Sequence, residues 1–248
     1  MKTENAKSYV LHTRQYRESS QLVDLFSRDF GRVRAVAKGM RGKRKSGGHQ
    51  LQAFTPLLVS WRGKGELKNL TALEASGNSA VLQGEKLYIG LYLNELLVRL
   101  LPEYVPHESV FDHYSALVPQ LSVSVDPEPL LRRFERRLLE EMGYGFDLRA
   151  EVANDRPITA DDYYHFTTDQ GFIRIDSILQ RRKEEGYRGE HLLAIAEDNY
   201  QALEVRRCAK RLLRHALQAQ LGERPLLSRQ LFRQASVPPG GAKTLRVE

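Results

Sequence analysis

The chain has 248 residues, 41% of them hydrophobic and 28% charged, which supplies enough apolar side chain for a core and excludes disorder throughout. Its net charge of +7 is concentrated: residues 1–80 carry 7 Lys and 8 Arg against 6 acids, a balance of +9, while residues 81–248 carry 23 bases and 25 acids, a balance of −2. Such an excess points to a polyanionic partner, an acidic membrane surface or nucleic acid, and its confinement to one segment favours nucleic acid.

The opening Met1–Lys7 has no apolar run behind its charges and does not read as a signal peptide. Tyr9–Thr13 is a short β-rich run. Gln21–Phe26 alternates imperfectly and ends in a turn closed by Gly31. Arg32–Lys38 alternates charged and apolar residues at period two, the pattern of a half-buried strand. Leu57–Arg62 and Leu67–Leu73 flank Gly63-Lys64-Gly65, a hairpin signal. Five short strands in about 70 residues predict a small barrel, OB-type or SH3-like. Between the third and fourth strands, Lys38–His49 holds four glycines, five bases and no acid, the composition of a flexible cationic loop.

Past Gly77 the periodicity turns helical. Glu85–Leu101 is apolar on nearly every face, which reads as a buried central helix stopped by Pro102. Asn94, Glu95 and Arg99 interrupt it, and it is too short to span a bilayer. The expectation is a cytoplasmic protein, on the nucleoid when bound to DNA. Glu108–Leu121 and Pro127–Met142 read as amphipathic helices, and Tyr200–Leu221 as the clearest of them, ended by Gly222. Residues 144–185 are mixed, with a hairpin at Tyr163–Ile175 around Gly171. Ser228–Glu248 contains Pro-Pro-Gly-Gly and is expected to fray. The fold class is therefore α+β (multi-domain): a barrel over 1–80, then a mainly helical domain over 81–248 with a small irregular insertion near 144–185 and a frayed C-terminal tail.

No chemistry of catalysis is readable. The single cysteine, Cys208, allows no intramolecular disulfide and no Cys-x-x-Cys zinc site. The seven histidines form no His-Glu-x-x-His motif, and there is no Gly-x-Ser-x-Gly. Asp161-Asp162 could hold a metal, but adjacent loop carboxylates are more often solvated surface. Gly39-Met-Arg-Gly42-Lys43 lacks the four-residue spacing of a phosphate loop, and it leaves a strand where a KH-type GxxG joins two helices. The chain is read as a non-enzyme, with no metal and no cofactor.

Cations carry the functional reading. Arg14 and Arg17 lie near the first turn. Arg32, Arg34 and Lys38 share one strand face, because side chains two apart point the same way. Arg41, Lys43, Arg44 and Lys45 lie in the glycine loop, and Trp61, Arg62, Lys64 and Lys68 around the later hairpin. Repeated positive charge suits a phosphate backbone, and Trp61, Tyr16 and Phe30 are candidate stacking faces, although a lone strand Trp is more often core. On Pro127–Met142, Arg133 alone of four arginines has no carboxylate three or four residues away. Further on, Arg206, Arg207, Lys210, Arg211 and Arg214 form a second basic strip, able to bind nucleic acid or an acidic segment.

Tyr9-Val-Leu-His12, Arg17-Glu-Ser-Ser20 and Gly31-Arg-Val-Arg-Ala-Val-Ala-Lys-Gly-Met-Arg41 are similar to the opening of RecO proteins. Leu51–Leu57, Leu91–Leu97, Leu131–Glu135, Gly143-Tyr-Gly145 and Leu226–Arg233 follow in the family's order, so the resemblance spans nearly the whole chain. It implies an N-terminal OB domain before a helical domain. It implies binding of single- and double-stranded DNA, strand annealing, and partnership with RecR and with the acidic tail of single-stranded DNA-binding protein, which together load RecA. A RNA-binding or ribosome-associated OB protein, or a nuclease, would be the alternatives. Many RecO proteins carry a four-cysteine zinc module after the Gly-Tyr element, and Phe146–Phe172 here has no cysteine. A site for a tail with an apolar tip and a terminal carboxylate is expected on Leu130, Leu131, Arg132, Arg133 and Phe134, with Arg133 as its cation.

Overall fold

The computed structural model describes residues 2–38, 51–152, 154–176 and 186–235. Five strands open the chain: β1 (Lys2–Tyr16), β2 (Ser20–Ser27), β3 (Gly31–Lys38), β4 (Leu57–Arg62) and β5 (Lys68–Ala75). They close into a barrel of order β1-β2-β3-β5-β4, antiparallel except where β3 meets β5. That single parallel contact distinguishes the OB arrangement from the SH3-like alternative. β1 is three times the length of the Tyr9–Thr13 run, because its first half, Lys2–Ser8, is polar yet pairs with β4.

The imperfect alternation of β1 and β2 has a physical cause: both faces are covered. Val10, Val23 and Leu25 point into the barrel with Val33, Val59 and Trp61. Tyr9 and Phe26 point outward and are buried all the same, against Phe111 and Tyr114 at ring distances of 5.1–6.2 Å.

Those last two rings belong to the helical part. α1 (Glu85–Leu100), α2 (Glu108–Val123) and α3 (Glu128–Glu141) are followed by two-stranded β6 (Ala150–Glu151) and β7 (Arg156–Pro157). A three-stranded sheet then forms from β8 (Tyr163–Thr167), β9 (Gly171–Arg174) and β10 (Tyr187–Arg188), and α4 (Gly189–Ala196), α5 (Leu203–Leu221) and α6 (Leu227–Ala235) complete the chain. The hairpin around Gly171 lies where the sequence placed it. Ser228, by contrast, does not begin a frayed tail. It lies in the first turn of α6, and residues beyond 235 lie outside the described set.

The three polar residues that interrupt α1 explain how this central helix is held. Asn94 donates to the Leu11 carbonyl of β1 at 3.0 Å and accepts from the Tyr114 hydroxyl at 2.6 Å. Glu95 accepts the backbone N–H groups of Leu227 and Ser228 at 2.8 Å each, capping α6. Arg99 donates to the carbonyls of Leu221 and Arg224. Buried Asn94 and half-buried Glu95 and Arg99, each with partners, fix one arrangement of barrel, α2 and α6 around α1.

The cysteine-free stretch after Gly143-Tyr-Gly145 packs rings. Phe146, Phe166, Phe172 and Tyr187 contact one another at 4.8–6.4 Å, and His215 of α5 stands edge-on to Phe166. Such contacts bury large apolar area and add to it through ring geometry.

Candidate nucleic-acid interface and cationic cavities

The structure sorts the predicted barrel cations into three groups. Arg14, Arg17 and Lys38 are exposed at one end, where Ser20 pairs with both Tyr16 and Lys38. Arg17 sits at φ 54 in the β1–β2 turn, its guanidinium over the Tyr16 ring. Arg62 and Lys64 are exposed at the other end, where Arg62 pairs with Lys2. Lys2 and Arg14 are twelve residues apart on β1, roughly 40 Å along the strand. Arg41, Lys43, Arg44 and Lys45 lie outside the described residues.

The third group is engaged within the protein: Arg32 and Arg34 do lie on the outer face of β3, opposite the core residues Val33 and Ala35, but unlike Lys38 they are taken up by carboxylates. Arg32 is ion-paired to Asp24 at 3.4 Å and to Glu103 at 3.2 Å, and donates to the Leu101 carbonyl. Arg34 is ion-paired to the same Glu103 carboxylate, which raises its pKa above the ordinary arginine value. Both arginines thus hold the stretch that joins α1 to α2. Gly31 lets that stretch pass: its φ is +67, and a Cβ there would collide with the Val105 carbonyl. Lys68 is 8% exposed, donates to the Gly65 carbonyl and lies 4.8 Å from the Tyr104 ring centroid. Trp61 is 1% exposed inside the barrel, edge-on to Phe30, so it offers no stacking face.

The residues expected to hold a partner's tail are redistributed as well. Leu131 and Phe134 are buried, Phe134 against Tyr114. Arg132 is 6% exposed and ion-paired to Glu135 and, at 3.4 Å, to Glu128. Tyr92 donates to Glu135 at 2.6 Å, and burial beside that carboxylate pushes its pKa up, keeping the hydroxyl protonated as a donor. Arg133 is not without a carboxylate. The Asp198 carboxylate, 65 residues away, approaches its Nε at 3.8 Å, and the Asp198 backbone carbonyl accepts from its Nη2 at 3.2 Å, while Tyr200 lies under the guanidinium.

A cavity of about 370 Å³ opens between α1, α3, α5 and α6. Ile89, Tyr92 and Leu131 supply its apolar lining, Arg132, Lys210, Arg214 and Arg229 its cations, and Glu85, Glu128 and Glu135 its carboxylates, the last two paired with Arg132. Arg229 is carried by α6 and stacks on Tyr92 at 5.7 Å. Among the described residues, Lys210 and Arg214 make no ion pair. Sequence reading missed the cavity because its walls come from four separate helices. The second strip divides here: Lys210 and Arg214 edge this cavity, Arg206 pairs with Asp126 at 2.6 Å, and Arg207 and Arg211 line a second cleft. Cys208 is buried beside that cleft, which pushes its thiol up to about 11 and leaves it a protonated core filler at neutral pH.

Among the described residues no group of three or more His, Cys, Asp or Glu side chains is placed to hold a metal ion, and no helix is long and apolar enough to cross a membrane.

Comparison with known proteins decides the family. Residues 1–78 match the family described as Recombination protein O N terminal, and residues 82–230 match Recombination protein O C terminal. The chain belongs to the RecO family. A DNA repair protein RecO of Pseudomonas putida (strain GB-1) is 46% identical over 226 residues, covering 91% of this chain and 96% of that protein. The DNA repair protein RecO of Pseudomonas aeruginosa (strain LESB58) is 44% identical over 225 residues, covering 91% and 93%. The closed barrel is thus the OB module of a RecO protein, and the helices beyond it make up most of the C-terminal match.

Proposed function

We propose that this chain is a DNA-binding recombination mediator in DNA repair, which binds single- and double-stranded DNA, anneals complementary strands and, with RecR, helps load RecA onto DNA coated by single-stranded DNA-binding protein. The observation that carries the reading is the set of exposed cations at both ends of an OB barrel that meet no carboxylate among the described residues, in a chain whose excess charge lies in that barrel. Annealing requires two like-charged strands to approach, and a cationic surface that reads no bases lowers their repulsion without nucleotide hydrolysis. The DNA contacts are Arg14, Arg17, Lys38, Arg62 and Lys64, joined by Arg41, Lys43, Arg44 and Lys45.

Salt tests this directly. With about five phosphates neutralised, log K for single-stranded DNA should fall against log salt with a slope of roughly −3.5. Replacing Arg41, Lys43, Arg44 and Lys45 by Ala should weaken binding on every sequence alike. A slope near zero, or tighter binding to RNA than to DNA of the same sequence, would sink the reading.

The acidic tail of single-stranded DNA-binding protein docks in the cavity between α1, α3, α5 and α6. Its apolar tip meets Ile89 and Leu131, and its carboxylates meet Lys210, Arg214 and Arg229, with buried Arg132 behind them. Arg133, held by Asp198, gives up the role the sequence suggested. Arg214→Ala should weaken binding of a tail peptide by roughly 1.5–3 kcal/mol, the range for hydrogen bonds to charged groups. Arg133→Ala should change it far less, and the reverse order would return the site to the far side of α3.

A further inference from the structure

Arg229 is the cation that α6 brings to the cavity between α1, α3, α5 and α6, and the other cations there come from α3 and α5. Resting on the reading that an acidic tail docks in that cavity, we propose that Glu95 of α1 is a positioning residue for tail binding: by capping α6 it sets Arg229 over Tyr92, where Arg229 completes the site.

A helix as short as α6 needs a holder. It has nine residues, a length that is marginal in water without tertiary support. Its leading N–H groups have no partner within the helix, and the residue before it, Leu226, has no side-chain oxygen to cap them. Leu226 enters the core just ahead of the helix. Within residues 227–231, however, Leu227 and Leu231 are exposed and Ser228 is buried, so the hold on the described part of the helix is polar. One carboxylate, Glu95, accepts from the N–H groups of Leu227 and Ser228 at 2.8 Å each and from the Ser228 hydroxyl at 2.5 Å. Its charge also opposes the positive end of the helix dipole.

The same face of α1 places the cation. Tyr92, Glu95 and Arg99 are three and four residues apart, so they share one side of the helix. Arg99 ties the α5–α6 corner through the Leu221 and Arg224 carbonyls. Tyr92 lies under Arg229, which follows Ser228 directly, so a shift at the cap reaches the guanidinium through one peptide unit.

The cations of the cavity are not equivalent. Arg132 is already answered by Glu128 and Glu135. Arg229 meets no carboxylate among the described residues, and its Nη1 is 3.5 Å from the Gln218 side-chain oxygen. With Lys210 and Arg214 across the cavity on α5, it offers an incoming carboxylate charge from a second direction. A cation set in place beforehand loses less freedom when the ligand arrives.

A double-mutant cycle on the full chain tests the proposal, read as affinity at fixed salt for a synthetic acidic peptide with an apolar last residue and a free terminal carboxylate. Arg229→Ala should weaken binding about tenfold, the equivalent of one charge-assisted contact. Glu95→Gln puts an amide donor where one N–H group of α6 needs an acceptor, and should weaken binding about fivefold. The two together should lose about tenfold, not the roughly fiftyfold of independent sites. Arg28→Ala, at the barrel seam, should leave peptide affinity unchanged. If melting shows that Glu95→Gln is unfolded at the assay temperature, Ser228→Ala, which removes one of the three bonds, takes its place in the cycle with a loss of about twofold.

A cap variant that binds as tightly as the parent overturns the proposal, and so do losses that multiply. Equal weakening by Arg28→Ala also overturns it, because the effect would then be general instability. If Arg229→Ala keeps full affinity while Arg214→Ala loses it, the positioning role falls and tail docking stands. Binding that ignores both Arg214 and Arg229, or no binding at all, fails the docking reading itself and the positioning role with it.

Discussion

Arg32 and Arg34 on β3 and Arg14 and Arg17 on the neighbouring hairpin are the same residue type within one small barrel, but they do different work. At the seam, carboxylates from the far side of the chain meet each arginine: Glu103 takes Arg32 and Arg34, and Asp112 and Glu108 take Arg28 at 2.9 and 2.8 Å. At the outer end, Arg14 and Lys38 meet none among the described residues. A formal charge count treats these side chains alike. Only the second kind is available to a polyanion, because the first is already neutralised at short range.

The largest expected effect is at the seam. Glu103→Gln leaves Arg32, 14% exposed, with a weakened set of partners, and should lower unfolding stability by roughly 3 kcal/mol in urea titration. A loss below about 0.5 kcal/mol, the range for ordinary surface substitutions, would mean that the seam is not held by charge.

At the outer end the order should reverse. Arg14, Arg17 and Lys38 replaced together by Ala should cost about two orders of magnitude in affinity for single-stranded DNA at 0.1 M salt and flatten the salt slope by about 2, with little change in stability. If stability fell and affinity held, the two regions would have exchanged roles.

The smallest effect is a dependence on pH. Arg28 holds the Asp112 carboxyl below its ordinary value, chiefly through their hydrogen bond. A depressed folded pKa gives stability that is present above the ordinary carboxylate range and is lost as pH falls through the folded value. Arg28→Ala should therefore be slightly less stable than the parent at pH 7, and the gap should close below about pH 4. A gap that stays constant into acid would assign the loss to packing of the arginine stem.

What could be read from the sequence follows from the range of each interaction. Leu57–Arg62 declared itself a strand because its apolar residues and the glycines after it are local signals, and the structure returns the same bounds. The first half of β1 did not, since only Ala6 in Lys2–Lys7 is apolar and the partner that orders it, β4, is over fifty residues away. α4 was missed because eight residues give too few periods to count. Arg133 was judged by its neighbours on one helix, and Asp198 arrived from elsewhere. Trp61 obeyed the general tendency of strand tryptophans toward the core. The cavity between α1, α3, α5 and α6 was not read as one site, although Leu131, Arg132, Lys210 and Arg214 were singled out, because its walls run from Glu85 to Arg229 along the chain.

That discontinuity has a consequence in time. Ile89 and Arg229 line the same cavity but are 140 positions apart in the chain. At translation rates of about 5–20 residues per second, Arg229 leaves the ribosome roughly 7–28 s after Ile89. The barrel strands, all within the first 75 residues, have emerged by then. A growing chain therefore presents all the strands of its barrel well before the last wall of this cavity has been made.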